Sequence, residues 1–290
     1  MITDWFRTPD TWVLAPLAVA LACALLLALT RRALPPGNPE WRVRRAIVVC
    51  AAMSVWPFLL QIGAPYIRVW WVLGPEQPRA ILASAAFLAG GGVVLGWLIP
   101  WLIEGRSLAG MGWVARRAVL YLLAGIVVGS VAGLLLHPRP WFGPLDEIVP
   151  PQRGLALLPL LSVGFIVPCA LYGLLAGWAE ENVFRGHLMP ALVERGYSRG
   201  GANLLQAAGF ALYHVPALLA AVWRRETGYP LLPYLLIATT IWFVWGLLFG
   251  LLRLRTRSIV PGFALHAAYD AVYLMMVWGP MAAMLGGLRP

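Results

Sequence analysis

Lysine is absent from this 290-residue chain: all 22 basic residues are arginine, set against 12 acids for a net charge of +10. In a soluble domain that balance would point to nucleic acid. Here the arginines fall in short loops between apolar runs, as membrane topology requires, so no nucleic-acid partner is expected. Cysteine is nearly absent too. Cys23, Cys50 and Cys169 each lie inside an apolar run with no C-x-x-C pair, which excludes a disulfide framework and a cysteine metal site. Charge as a whole is scarce, 12% of residues against 61% hydrophobic, and neither an internal repeat nor a low-complexity tract is present. The first apolar run has no basic stretch before it and is followed by Arg31-Arg32, so it reads as a first membrane span rather than a cleaved signal peptide.

What the chain has in quantity is apolar sequence. Runs approaching the ~20 residues that cross a bilayer recur throughout, so the fold class is all-α, a polytopic integral membrane helical bundle of about eight transmembrane helices. The expected spans are roughly 12–29, 46–62, 80–103, 118–136, 155–181, 202–223, 231–252 and 259–278. Gly125, Gly129 and Gly133 recur every fourth residue in the fourth span and form a ridge for close helix packing. Residues 1–153 supply the first four spans and 154–280 the last four, in one integrated domain. Fourteen of the 22 arginines fall in alternate loops, beginning with the loop after the first span. Those loops are expected in the cytoplasm, which puts the far end of the fifth span on that side.

That end reads Gly177-Trp-Ala-Glu-Glu-Asn-Val-Phe-Arg-Gly186. A carboxylate beside hydrocarbon costs roughly 2.5–3.5 kcal/mol on insertion scales and needs a partner, a polar cavity or a function. Glu181 and Arg185 are four apart with the acid first, the favoured order for a helical ion pair. Glu180 lies about 100° away around the helix. One acid is therefore neutralised and the other left for something else. The remaining ionisable residues inside spans are His214 in the sixth and His266 with Asp270 in the last. His266 and Asp270 share a helix face, as do Phe210 and His214. Two acids, two imidazoles and a third acid satisfy one another by converging on one polar cavity, which makes them a candidate site. Such a set serves as a general base with an oxyanion donor, or as a zinc shell of Glu180, His214 and His266 with a position left for water. The residues alone leave both open. No H-E-x-x-H is present, and His137 and His187, beside Pro and Gly, read as solvated surface residues.

Glu180-Glu181-Asn182-Val183-Phe184-Arg185 fits E-E-x-x-x-R, Phe210 to His214 fits F-x-x-x-H, and His266 to Asp270 fits H-x-x-x-[N/D]. In that order on successive helices, these resemble the three motifs of the CPBP family, the CAAX-protease and bacteriocin-processing proteins that include the Rce1-type prenyl endopeptidase. The resemblance covers about residues 155–278. It implies an intramembrane endopeptidase in which Glu180 activates water, His214 orients it or shares its proton, and His266 with Asp270 binds the carbonyl oxygen. Glu181, Arg185 and Phe210 would support the motif. No cofactor is favoured; a divalent metal such as zinc is the alternative. Rce1-type members typically carry Asn where this chain has Asp270. An ionised Asp does not donate to an oxyanion, so Asp270 must be protonated, orient His266 or act as a ligand. The implied partners are the lipid bilayer and a membrane-anchored protein or peptide, either a prenylated tail or a C-terminal sorting signal. The Arg-, Ala-, Leu- and Gly-rich composition suits a bacterial inner membrane protein. A non-catalytic immunity or scaffold protein, and less readily a transporter, are the other readings.

Overall fold

The computed structural model describes residues 40, 42–51, 106–114, 116–135, 163–223 and 231–286. The first and third expected spans, most of the second, and His137 lie outside the described residues. Among the described residues the structure is helical, with no strand. Residues 42–51 are helical. After them come α1 (Leu108–Met111), α2 (Ala118–Leu135), α3 (Val163–Glu181), a π-helical segment (Asn182–Leu188), α4 (Met189–Glu194), α5 (Arg199–Trp223), α6 (Leu231–Thr256) and α7 (Val260–Gly286). The helices α2, α5, α6 and α7 follow the apolar runs of the fourth, sixth, seventh and eighth expected spans within a few residues.

Two of them, α2 and α6, are long and apolar enough to cross a membrane, with only 17% and 22% of their apolar windows buried inside the molecule. So much exposed hydrocarbon suits lipid rather than water. On α2 the exposed side chains include Val119, Leu123, Val127 and Val131, while Gly125, Gly129 and Gly133 are buried. That glycine ridge lies on α7. A Cβ at Gly125 would come 2.6 Å from the Ala264 methyl, and one at Gly129 would run into the Leu265 carbonyl. On the other side of α7, Gly173 and Gly177 of α3 approach Ala267 in the same manner. Small residues thus hold α7 between α2 and α3 at backbone distance, where dispersion contacts replace the hydrophobic drive that lipid removes.

The helices α5 and α6 make the second packed pair. Gly246 lies against Ala207, and a side chain at Gly250 would overlap Asn203 and Gln206. Those two polar residues tie the helices: Asn203 Nδ2 donates to the Leu247 carbonyl at 3.2 Å, and Gln206 Nε2 donates to the Gly246 carbonyl at 2.8 Å. The π-helical segment touches α1, α3, α4, α5 and α6 and so forms the junction between the two packed groups.

The helix carrying the double acid differs from the sequence expectation. It does not end at Glu180-Glu181 but runs without interruption from Val163 through the π-helical segment to Glu194. The apolar run stops there because the residues that follow are polar. The helix continues because those residues are satisfied inside the protein, and all seven residues of the π segment are buried. A tight αL residue, Gly196 at φ 104°, follows the end of α4.

The candidate active site

The π turn shapes the site locally. Its i→i+5 pattern, visible where the Met189 N–H bonds the Phe184 carbonyl, takes in one more residue than an α turn and frees a carbonyl where the two meet. Asn182 compensates: its Nδ2 donates to the Trp178 carbonyl at 2.8 Å, and its Oδ1 accepts the Trp113 indole N–H at 2.8 Å. Trp113 stacks edge-on against Phe263 of α7 at 5.3 Å. The loop after α1 therefore braces the π turn against α7. Sequence reading missed Asn182 and Trp113, whose only signal was an amide inside the motif.

Glu181 and Arg185, both fully buried, pair at 3.0 Å. The guanidinium also donates through Nη2 to the Gly246 carbonyl at 3.3 Å and lies over Phe210 at 4.4 Å and Phe249 at 5.0 Å. A buried charge needs such compensation, and stacking on aromatic faces is a role suited to Arg rather than Lys. Glu181 does more than neutralise Arg185. Its Oε1 lies 3.3 Å from His266 Nδ1, so one carboxylate oxygen joins the cation of the π turn to the imidazole of α7. Nothing in the spacing of the motifs revealed that link.

The four residues expected to do chemistry come together from three helices. Glu180 Oε2 lies 3.6 Å from His266 Nε2 and 4.0 Å from His214 Nε2. Asp270 Oδ2 approaches the same His266 nitrogen at 3.5 Å. Both nitrogens of His266 therefore face carboxylate oxygens, which accept and do not donate unless protonated. The tautomer of His214 is fixed differently. Its Nδ1 lies 2.8 Å from the Phe210 carbonyl, which only accepts, so Nδ1 carries the hydrogen and Nε2 presents a lone pair towards Glu180. Phe210 is buried and meets the rings of His214 and His266 edge-on at 4.9 and 5.9 Å. Tyr213, also buried, meets the His214 ring edge-on at 4.7 Å, another contact the sequence did not disclose.

His187, expected at the solvated surface, is fully buried. Its neighbour Gly186 suggested a loop, yet the glycine lies within the π segment where Met111 of α1 closes over it. Among the described residues no group of three or more His, Cys, Asp or Glu is arranged to hold a metal ion. Glu180, His214 and His266, the trio of the zinc alternative, lie side by side, Glu180 Oε2 being 3.6 Å from His266 Nε2 and 4.0 Å from His214 Nε2.

Comparison with known proteins bears on the same helices. Neither curated proteins nor solved structures yield a match to this chain. A family model does match: that of the type II CAAX prenyl endopeptidase, Rce1-like, over residues 162–272. The match takes in α3, the π turn, α4, α5, α6 and the first half of α7, and so Glu180, Glu181, Arg185, His214, His266 and Asp270, but not Trp113. The helices that bring Glu180, His214 and His266 together thus lie within the segment that matches the Rce1-like family model, in a helical chain with two helices long and apolar enough to cross a membrane.

Proposed function

We propose that this protein is an intramembrane endopeptidase that hydrolyses a peptide bond of a membrane-anchored protein or peptide, using a water activated by Glu180 and His214. The observation that carries the reading is the pairing of an unprotonated His214 Nε2 with Glu180 Oε2 across 4.0 Å. That gap is too long for a direct hydrogen bond and suits a bridging water. A water there gives one hydrogen to each neighbour and turns its lone pair to a carbonyl entering between α3, α5 and α7.

Glu180 takes one proton as the water oxygen attacks, and the carbonyl π electrons move to oxygen. Once Glu180 is protonated it no longer competes for the Nε2–H of His266, which is then free to turn to the developing oxyanion while Glu181 holds the ring at Nδ1. Collapse of the tetrahedral intermediate breaks the C–N bond, and the proton on Glu180 passes to the leaving amine. Asp270 acts by orienting His266 and need not touch the substrate. Glu181 and Arg185 hold the π turn and, through Glu181, the His266 ring.

The apolar flanks of α2 and α6 and the Rce1-like match support a substrate delivered from the bilayer. The composition favours a bacterial membrane-anchored or secreted peptide over a prenylated tail, and a cytoplasmic-side site. Cleavage of a membrane-anchored reporter by purified protein in liposomes tests the reading. Wild type should cut with or without a strong chelator, while Glu180→Gln and His214→Ala should not cut despite unchanged melting. Cleavage abolished by the chelator and restored by zinc would replace the metal-free step. Absence of cleavage, with all three proteins retaining a co-purified peptide equally, would favour a non-catalytic scaffold.

A further inference from the structure

Helix α6 carries none of the three motifs, yet it supplies the ring that lies flat on each site imidazole. Trp242 stacks on His214 with centroids 4.2 Å apart and planes 8° from parallel. Phe249 stacks on His266 at 4.8 Å and 16°. The two are seven residues apart, two helical turns, and so project from one face of α6. Trp245 lies between them, stacked on Phe249 at 5.5 Å, and its indole reaches Tyr269 of α7. We propose that α6 is a positioning element of the site, with Trp242 and Phe249 clamping the two imidazoles and stabilising the partial positive charge they carry as they accept from water or donate to an oxyanion.

Burial alone does not require this geometry. Trp242 is only partly buried, and an aliphatic side chain would cover the same flank of His214. Coplanar stacking adds two things that an aliphatic residue lacks. It blocks rotation of the imidazole out of the plane in which Nδ1–H meets the Phe210 carbonyl and Nε2 faces Glu180. It also presents the electron-rich face of a ring to an imidazole that receives hydrogen-bond donation from water, and a cation over such a face is stabilised. Phe249 does the same for His266 while its ring also lies under Arg185 at 5.0 Å. Edge contacts from Phe210 and Tyr213 complete the enclosure of His214.

The catalytic part of this inference rests on the protease reading; the positioning part does not, and the test separates them. In the reporter assay, Trp242→Leu should lower kcat roughly two- to thirty-fold, the span expected of one cation–π contact, with KM and melting unchanged. Trp242→Phe should restore most of the rate. A Leu variant with wild-type kcat, or a Phe variant as slow as Leu, overturns the clamp. Independently of turnover, nitrogen spectra of histidine-labelled protein, with His214→Ala for assignment, should show His214 as the single Nδ1–H tautomer in wild type. Trp242→Leu should turn that signal into a tautomer mixture, and Phe249→Leu should perturb His266. Unchanged spectra would also overturn the clamp. Spectra that respond in a protein that cuts nothing would refute the protease reading while leaving the positioning role in place.

Discussion

Among the single residues that support the chemistry, Asp270 separates the available explanations most cleanly. Its Oδ2 faces His266 Nε2 at 3.5 Å from one turn along the same helix. An Asn oxygen at that position still accepts from the ring, though more weakly than a carboxylate. Asp270→Asn should therefore keep activity within about ten-fold of wild type in the reporter assay, while Asp270→Ala, which leaves His266 Nε2 to Glu180 alone, should lose substantially more. The Glu181–Arg185 pair behaves otherwise, because both side chains are fully buried. Removing one partner strands a charge, so Glu181→Gln or Arg185→Leu should destabilise by about 3–5 kcal/mol in denaturant or thermal unfolding. Replacing both together should recover part of that loss. The pair was legible in the sequence from its i,i+4 spacing. The second job of Glu181, the hydrogen bond to His266, joins residues 85 apart in the chain, a separation at which local spacing carries no information.

At the scale of the element, the π turn and the glycine contacts carry the geometry. Asn182→Ala removes the side chain that satisfies both the Trp178 carbonyl and the Trp113 indole. The cost should be about 1–3 kcal/mol, the penalty for a buried polar group left unpaired, measured as a lowered melting temperature with reduced turnover. Gly129→Val would drive a side chain into the Leu265 backbone next to His266. It should separate α2 from α7 and yield protein that purifies poorly or melts early, whereas Gly200→Ala, in open space at the start of α5, should not. Helix positions were legible because apolar runs and their arginine-rich boundaries mark them; the seventh expected span and α6 begin at the same residue, Leu231. The π turn was not. Asn182, Arg185 and His187 look like the polar end of a span, and only tertiary partners show that the helix carries them inside. The α6 clamp was hidden for the opposite reason. In a chain with 15 Trp and 10 Phe, an aromatic that stacks on a site imidazole cannot be told by pattern from one that faces lipid.

Across the described residues, the helical stretch 42–51 and Arg106 are fastened to the segment that matches the Rce1-like model. Ala46, Val49 and Cys50 enter the same core as Phe184, Phe210 and Phe249. Glu194 at the end of α4 binds Arg42 at 2.7 Å and Arg106 at 2.8 Å. These ion pairs are partly exposed, so Glu194→Ala should change stability by no more than about 1 kcal/mol per pair, with the apolar contacts of residues 46–50 doing most of the fastening. The four helices that meet at the site belong to two packed groups, α3 and α7 (with α2 packed on α7) in one and α5 and α6 in the other. The proposed catalytic set spans the seam between them, with Glu180, His266 and Asp270 on one side and His214 on the other. The single measurement that tests this account most directly is the rate at which Glu180→Gln protein, matched to wild type in melting temperature, cleaves a membrane-anchored reporter in liposomes. The account predicts a loss of at least about 10²–10⁴-fold, the contribution of a positioned general base. Cleavage by Glu180→Gln at a rate near that of wild type would contradict it.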